Sequence, residues 1–445
     1  MKKPIILFLG AIFIYFVSWY SIYNTNINQF IIQSEDTIPS MFLPFSIIKK
    51  GTLYLDDYYQ IMIERYPHPD DKKYILGKTP FYLRKVSGHY LSAFPIMSSI
   101  LALPIYLIPV FLNIDVNWFN IALLARLSSA IIVGLSGVFL YQLLLKLTKE
   151  DNAFIITLIY LFATINFASI SQALWQHGTL ELFTILSLLF LVKAPAKKIN
   201  LYFSGLFLGL ALISRPTAVL FLITLSFYVL KVYKFSGLVK FLAPLIVPIA
   251  FFLLYNSIFY ESILNQGYSS QLLDSWRTPI FVGFAGLWLS PSKGILVYSP
   301  VFLFSLFGSF LVLRKRYTTQ PLLYKSFIAI ILLHTLVVGM WKHWYGGWSF
   351  GYRMASDVIP FLAILLVPYL ESGYHQRTKK VFFGLLGLSV LVELLGIAFF
   401  DGIWHGVYDK GFKDQRWLWS LKESELVFYV KRVLAKLNVI TVSLP

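Results

Sequence analysis

The chain has 445 residues, 58% of them hydrophobic and 18% aromatic, with 13% charged and no cysteine. Soluble domains carry about 25% charged residues, so a soluble globular protein is excluded, and the missing Cys removes disulfides, thiolate nucleophiles and Cys-ligated metals. The formal charge of +17 sits in short loops between apolar runs, which is a topology pattern and not the footprint of a nucleic-acid partner.

The N-terminal run MKKPIILFLGAIFIYFVSWY has the basic start and apolar body of a signal peptide. It lacks a small-residue cleavage site and ends in the interfacial aromatics Trp19 and Tyr20, so it is expected to stay as an anchor. A polar loop, 24–117, follows on the far side. It opens with the adjacent carboxylates Glu35 and Asp36 and an amphipathic stretch, Ile38 to Lys50, stopped by Gly51. Asp56 and Asp57 come next, then the basic cluster Lys72, Lys73, Lys78, Arg84 and Lys85, and SGHY at 87–90. Residues 94–112 are apolar enough to span, but Pro95, Pro104 and Pro109 would kink a helix there. Counting them as a span would also reverse every later loop. A re-entrant or interface-lying helix pair is expected instead.

Further spans are expected near 118–146, 153–171, 178–193, 200–214, 216–232, 241–259, 294–313, 324–341, 354–371 and 379–400, beside the first at 4–23. With Lys2 and Lys3 cytoplasmic, every second loop is basic, whereas the opposite loops are aromatic and Gly-rich. The expected architecture is all-α: a polytopic bundle of about 11 spans over residues 1–400, with juxtamembrane helices in its large first external loop. Residues 401–445 should form an external interfacial segment ending in an amphipathic helix, ESELVFYVKRVLAKLNVI.

Candidate chemistry gathers on the external side. Asp36, just beyond the first span, could act as a general base, with Glu35 beside it and cations such as Lys78 against a phosphate. His89 lies in the same loop. His177 stands at the mouth of a span with Glu181 four residues on, sharing its helix face; an ionisable residue inside an apolar run is a functional candidate by default. That His–carboxylate spacing leaves a divalent cation open and no metal site assigned. Arg215, in ISRPTAV, can pair with a phosphate or snorkel to headgroups. In WKHWYGGWSFGYR, Trp344 and Tyr345 offer rings to a sugar and Arg353 a cation, and Gly346, Gly347 and Gly351 argue for a tight loop.

In this order the motifs resemble the GT-C superfamily of membrane glycosyltransferases, near the protein O-mannosyltransferase and aminoarabinose transferase branch. The matching stretches are SEDTIPSMFLPFSIIKKGTLYLD, GKTPFYLRKVSGHYLSAFPIMSSILALPIYL, NIDVNWFNIALLARLSSAIIVGL with Arg126, LWQHGTLELF and ISRPTA, all within residues 1–260. The resemblance implies a hexosyl or pentosyl transferase that uses a polyprenyl-phosphate sugar on the non-cytoplasmic face. It puts Asp36 at the position of the catalytic carboxylate, His177 where some members carry a second acidic residue, and Arg215 and Lys78 near the lipid phosphate. The acceptor would be a protein, lipid or glycan, and the location a plasma membrane, bacterial by the compact loops, with the N-terminus cytoplasmic. Two rivals stay open: a lipid or sugar transporter (flippase), which would favour internal repeats and mid-membrane polar groups, and a lipid-linked glycan polymerase or ligase.

Overall fold

A computed structural model of the chain describes residues 2–24, 33–264, 267 and 275–439; the start of the first loop, 25–32, lies outside them. Helix α1 (Lys2–Asn24) is followed by a 3-10 turn at Glu35–Thr37, then α2 (Ile38–Lys50) and α3 (Asp56–Arg65). A two-stranded antiparallel hairpin, β1 (Leu83–Val86) and β2 (His89–Ser92), pairs Leu83 with Ser92 and precedes α4 (Met97–Phe111). The next helices are α5 (Trp118–Leu144), α6 (Glu150–Phe162), α7 (Ile165–Ala168), α8 (Gln176–Lys193), α9 (Asn200–Ser214), α10 (Val219–Leu242) and α11 (Ile246–Phe259). Beyond them lie α12 (Ile280–Leu289), α13 (Ile295–Tyr298), α14 (Leu303–Leu313), α15 (Pro321–Gly339), α16 (Ile359–Ile364), α17 (Leu366–Leu370), α18 (Gly373–Phe399), α19 (Ile403–Tyr408) and α20 (Glu425–Lys436).

Six helical stretches are long and apolar enough to cross a membrane, or seven if α6 and the bent segment after it count as one. The expected spans at 216–232 and 241–259 are successive parts of a single 44-residue stretch, Pro216–Phe259. It breaks at Lys234, whose φ of 63° and ψ of −172° are not helical. Other expected spans fold as shorter apolar helices, α9 and Pro300–Leu313 among them. Residues 97–111 form one helix and not a pair: α4 carries Pro104 and Pro109 within 15 residues, about 22 Å at 1.5 Å per residue and short of a 30 Å core.

Burial sorts the helices into an inside and an outside. Residues Ile359–Leu370 are buried throughout, as is nearly all of α8, the mark of helices at the centre of a bundle. In contrast α1, the Pro216–Phe259 stretch and α18 expose apolar side chains along their length, including Phe13, Ile223, Phe235, Ile246, Leu254 and Leu391. Those are the surfaces a bilayer would solvate. Glycine sets the closest helix approach: a Cβ on Gly308 would lie 2.0 Å from the Leu365 carbonyl oxygen, and one on Gly283 only 1.7 Å from that of Gly339. Packing through small residues compensates for the weak hydrophobic drive between apolar helices in lipid.

Two sequence features are found as expected. Helix α2 ends where Gly51 takes a left-handed φ of 62° and its N–H bonds the Ile47 carbonyl at 3.0 Å. Its first nine residues, Ile38–Ser46, are all buried, so it is a packed helix seated on α4 rather than a solvated amphipathic one. The C-terminal pattern folds as α20, with Phe428 and Tyr429 turned inward against α18 and the Arg432 guanidinium 2.7 Å from Asp401.

Candidate active site

Asp36 sits in the short 3-10 turn that enters α2. Its Oδ2 accepts a hydrogen bond from Arg353 Nη1 at 2.7 Å, so a residue on the first loop is paired with one 317 positions later. Arg353 is nearly buried. Its Nη2 donates to the Gly346 carbonyl at 2.6 Å, and its guanidinium lies 4.3 Å from the centre of the Trp175 ring. Three contacts therefore fix one guanidinium: an ion pair, a backbone oxygen and an aromatic face. Glu35, the other carboxylate, is pushed up to about 7 by burial and by the neighbouring charge of Asp36. His343 lies close enough to feel Asp36 and is held down to about 4 by burial and by Lys342. It is therefore a neutral ring at pH 7, and its Nδ1 meets the Tyr345 hydroxyl at 3.0 Å.

The loop that delivers Arg353 is tight for backbone reasons. Gly346, Gly347 and Gly351 all have positive φ, between 59° and 88°, a region that costs other residues dearly. A buried cation holds the loop from behind. Lys293 Nζ donates to the Ser349 carbonyl and to Glu425 Oε2 at 3.2 Å, and lies 3.1 Å from His405 Nε2. The same Glu425 oxygen accepts from the Gly351 N–H at 3.2 Å and from the Tyr298 hydroxyl at 2.7 Å. Helix α20 thus reaches back to clamp the segment ahead of Arg353.

One turn past Arg353 stands Asp357, fully buried among four donors. Arg215 Nε meets its Oδ2 at 2.7 Å, His334 Nε2 at 2.9 Å and Thr217 Oγ1 at 2.8 Å, while His177 Nδ1 meets Oδ1 at 2.8 Å. Arg215 Nη1 also points at His177 Nε2 at 3.2 Å. Since guanidinium can only donate, that nitrogen accepts and the ring proton sits on Nδ1, facing Asp357. This hub joins α8, the Arg215 break before α10, α15 and the turn Arg353–Val358.

The sequence candidates therefore separate. Asp36, Glu35 and Arg353 come together. His177 and Arg215 meet each other, but as partners of Asp357 inside the bundle, so Arg215 does not present a free guanidinium to a headgroup or phosphate. Glu181 shares no bond with His177; its Oε2 accepts from Tyr160 Oη at 2.7 Å and Asn166 Nδ2 at 3.0 Å. Lys78 is exposed, 3.5 Å from Asp70. His89 pairs with Asp56 at 2.7 Å and stacks on Tyr54 with ring centres 4.1 Å apart. Trp344 and Tyr345 are buried: Trp344 Nε1 donates to Gln415 Oε1 at 2.9 Å, and Tyr345 packs edge-on against Trp417. Neither ring offers an open face to a sugar. Asp357, His334, Lys293 and Glu425 escaped the sequence reading, although an Asp inside the apolar stretch 354–371 is the signal that an intramembrane carboxylate gives. Among the described residues no three His, Asp or Glu side chains gather to hold a metal ion, and the described partner of Asp36 is a guanidinium.

Residues 103–260 match the family model of dolichyl-phosphate-mannose-protein mannosyltransferases. No curated protein matches the chain in sequence. Among solved structures, an oligosaccharyltransferase of Archaeoglobus fulgidus in complex with zinc and sulfate aligns over 93% of this chain, with a TM-score of 0.53 and 11% identity. The archaeal oligosaccharyltransferase of the same organism, bound to an inhibitory peptide and a dolichol-phosphate, aligns over 94% with a TM-score of 0.49 and 10% identity. The chain spans 57% and 60% of the length of those two proteins. Over residues 103–260 the chain is thus similar in sequence to that mannosyltransferase family, and its fold is similar to that of the Archaeoglobus fulgidus oligosaccharyltransferase.

Proposed function

We propose that the protein transfers a sugar, with inversion, from a polyprenyl-phosphate donor to an acceptor hydroxyl on the non-cytoplasmic face, with Asp36 as the base. The observation that carries this reading is the ion pair between Asp36 and Arg353, where the first loop meets the glycine-rich loop. The guanidinium holds the carboxylate in place beside the glycine-rich loop. It engages Oδ2, and Oδ1 is the atom assigned to the acceptor proton. In the transfer step the acceptor oxygen bonds to the anomeric carbon as the bond from that carbon to the phosphate oxygen breaks. The acceptor proton passes to Asp36, and the lipid phosphate leaves with the bonding electron pair. Charge developing on the phosphate calls for a nearby cation. Arg353, buried like Arg215 but bonded to Asp36 itself, is assigned that part. Glu35, part protonated near neutrality, can donate a hydrogen bond to a sugar or phosphate oxygen. The family match and the shared fold support a lipid-linked donor; the sugar and the acceptor are left to experiment.

The test is a transfer assay with protein in nanodiscs, a panel of radiolabelled polyprenyl-phosphate sugars and a crude membrane acceptor, with Asp36→Asn alongside. Donor-dependent transfer that disappears in the folded variant is the expected result. No turnover with any donor, together with translocation of lipid-linked sugar in sealed vesicles, would replace the enzyme reading with a transporter.

A further inference from the structure

The turn between α3 and the hairpin has no part in the transfer site, and its chemistry is unusual for a solvated loop. Ile75 is 78% exposed and Leu76 63%, with Tyr74 half exposed beside them. Lys72, Lys73 and Lys78 surround this tip and are exposed as well. The conformation is built. Asp71 is buried and its two carboxylate oxygens accept from the Leu76 N–H at 2.9 Å and the Lys78 N–H at 2.8 Å. The Tyr74 hydroxyl donates to the Ile63 carbonyl at 2.9 Å, while Tyr74 and Gly77 take left-handed φ values of 59° and 62°. Local bonds thus hold two large aliphatic side chains outward. Asp71 is spent on the backbone, and Asp70, 3.5 Å from Lys78, offsets one of the three cations.

The adjoining hairpin is anchored to the end of α11 and the residues just after it. Arg84 Nε donates to the Gly267 carbonyl at 2.7 Å, Ser87 bonds Glu261, and Tyr54 packs edge-on against Phe259. Phe259 is the last residue of the 44-residue apolar stretch, so the hairpin is tied to the end of a long apolar helical segment. Just beyond that end Ile263 and Leu264 are also exposed.

We infer that the turn 71–78 is a leaflet anchor: Ile75 and Leu76 enter the boundary between headgroups and acyl chains, while Lys72, Lys73 and Lys78 pair with phosphates of anionic lipid. Aliphatic tips ringed by lysine suit that boundary, because the stems lie along apolar matter and the ammonium groups remain hydrated among phosphates. The inference is independent of the transfer reading.

The cysteine-free sequence makes the test direct. Ile75→Cys carries an environment-sensitive NBD label in nanodiscs of phosphatidylcholine with or without phosphatidylglycerol, and Gln60→Cys, on the exposed face of α3, serves as reference. The expected result is a blue-shifted Ile75 label that doxyl lipid quenches and iodide quenches several-fold less than the reference. Adding phosphatidylglycerol should strengthen the shielding, and K72Q, K73Q and K78Q together should remove that increment. Iodide quenching equal to the reference in both lipids would overturn the inference. So would a label shielded equally in detergent and in nanodiscs and untouched by doxyl lipid, since protein would then cover the tip. Doxyl quenching without any effect of phosphatidylglycerol or of the lysine changes would overturn the phosphate pairing.

Discussion

Asp36→Asn and Arg353→Met, made singly and together, measure how firmly the first loop is locked to the glycine-rich loop. Two unit charges about 4 Å apart attract by about 4 kcal/mol at an effective dielectric constant of about 20. Water screens part of this, because the Asp36 side chain is 24% exposed against 9% for Arg353, and desolvation of both ions subtracts more. A coupling of about 2 kcal/mol is the net expectation. Asp36→Asn keeps an amide oxygen for Arg353 Nη1 and should cost about 1–2 kcal/mol. Arg353→Met also loses the Gly346 carbonyl bond and the Trp175 face, so about 3 kcal/mol is expected. Equilibrium unfolding in mixed detergent micelles gives the four stabilities, and transfer measured on the same samples should fall by about 10²–10⁴ for Asp36→Asn. A coupling below about 0.5 kcal/mol would mean that the two side chains are not paired in the protein, and the assignment of Arg353 to the site would go with it.

Three further outcomes follow from other parts of the molecule. Asp357→Ala leaves Arg215 buried without its carboxylate and should cost about 3–5 kcal/mol, read as loss of monodisperse protein on size exclusion, whereas Thr217→Val should be far milder. Gly308→Leu forces a side chain into the Leu365 carbonyl and should abolish folded protein; an unchanged melting temperature would contradict the described α14–α17 contact. Glu35 supplies a pH dependence. Between the ordinary carboxyl value of 4.5 and about 7 the folded chain keeps a proton that the unfolded chain has released. Stability should therefore fall as pH rises through that window and level off above it. Glu35→Gln should flatten the profile, and an identical slope in the variant would assign it to another group.

Local signals in the sequence translated well into structure, and long-range pairings did not. The Gly51 stop, the left-handed glycines of the Arg353 loop and the amphipathic C-terminal helix each depend on residues a few positions apart, where backbone conformation is decided. The first carboxylate pair and Arg353 were both singled out, but nothing local says that they meet. Arg215 and His177 look outward by their place at span ends, yet Asp357 draws them inward because a buried carboxylate needs donors. Trp344 and Tyr345 read as rings offered to a sugar. They are core, since their polar tips find Gln415 and His343 inside the fold. The count of about 11 spans is not confirmed where helices are short, as in α9 and α14, because a stretch of apolar residues does not state where its helix will break.

The clamp formed by Lys293 and Glu425 has a consequence for biogenesis. Synthesis places Arg353 in the nascent chain about 70 residues before Glu425 arrives, so the glycine-rich loop is made well before its lock. Until then Lys293 would lie in the bundle without the carboxylate that neutralises it, and the segment around Ser349 and Gly351 would lack its anchor. A chain cut short of α20 is therefore expected to leave the segment around Ser349 and Gly351 unclamped.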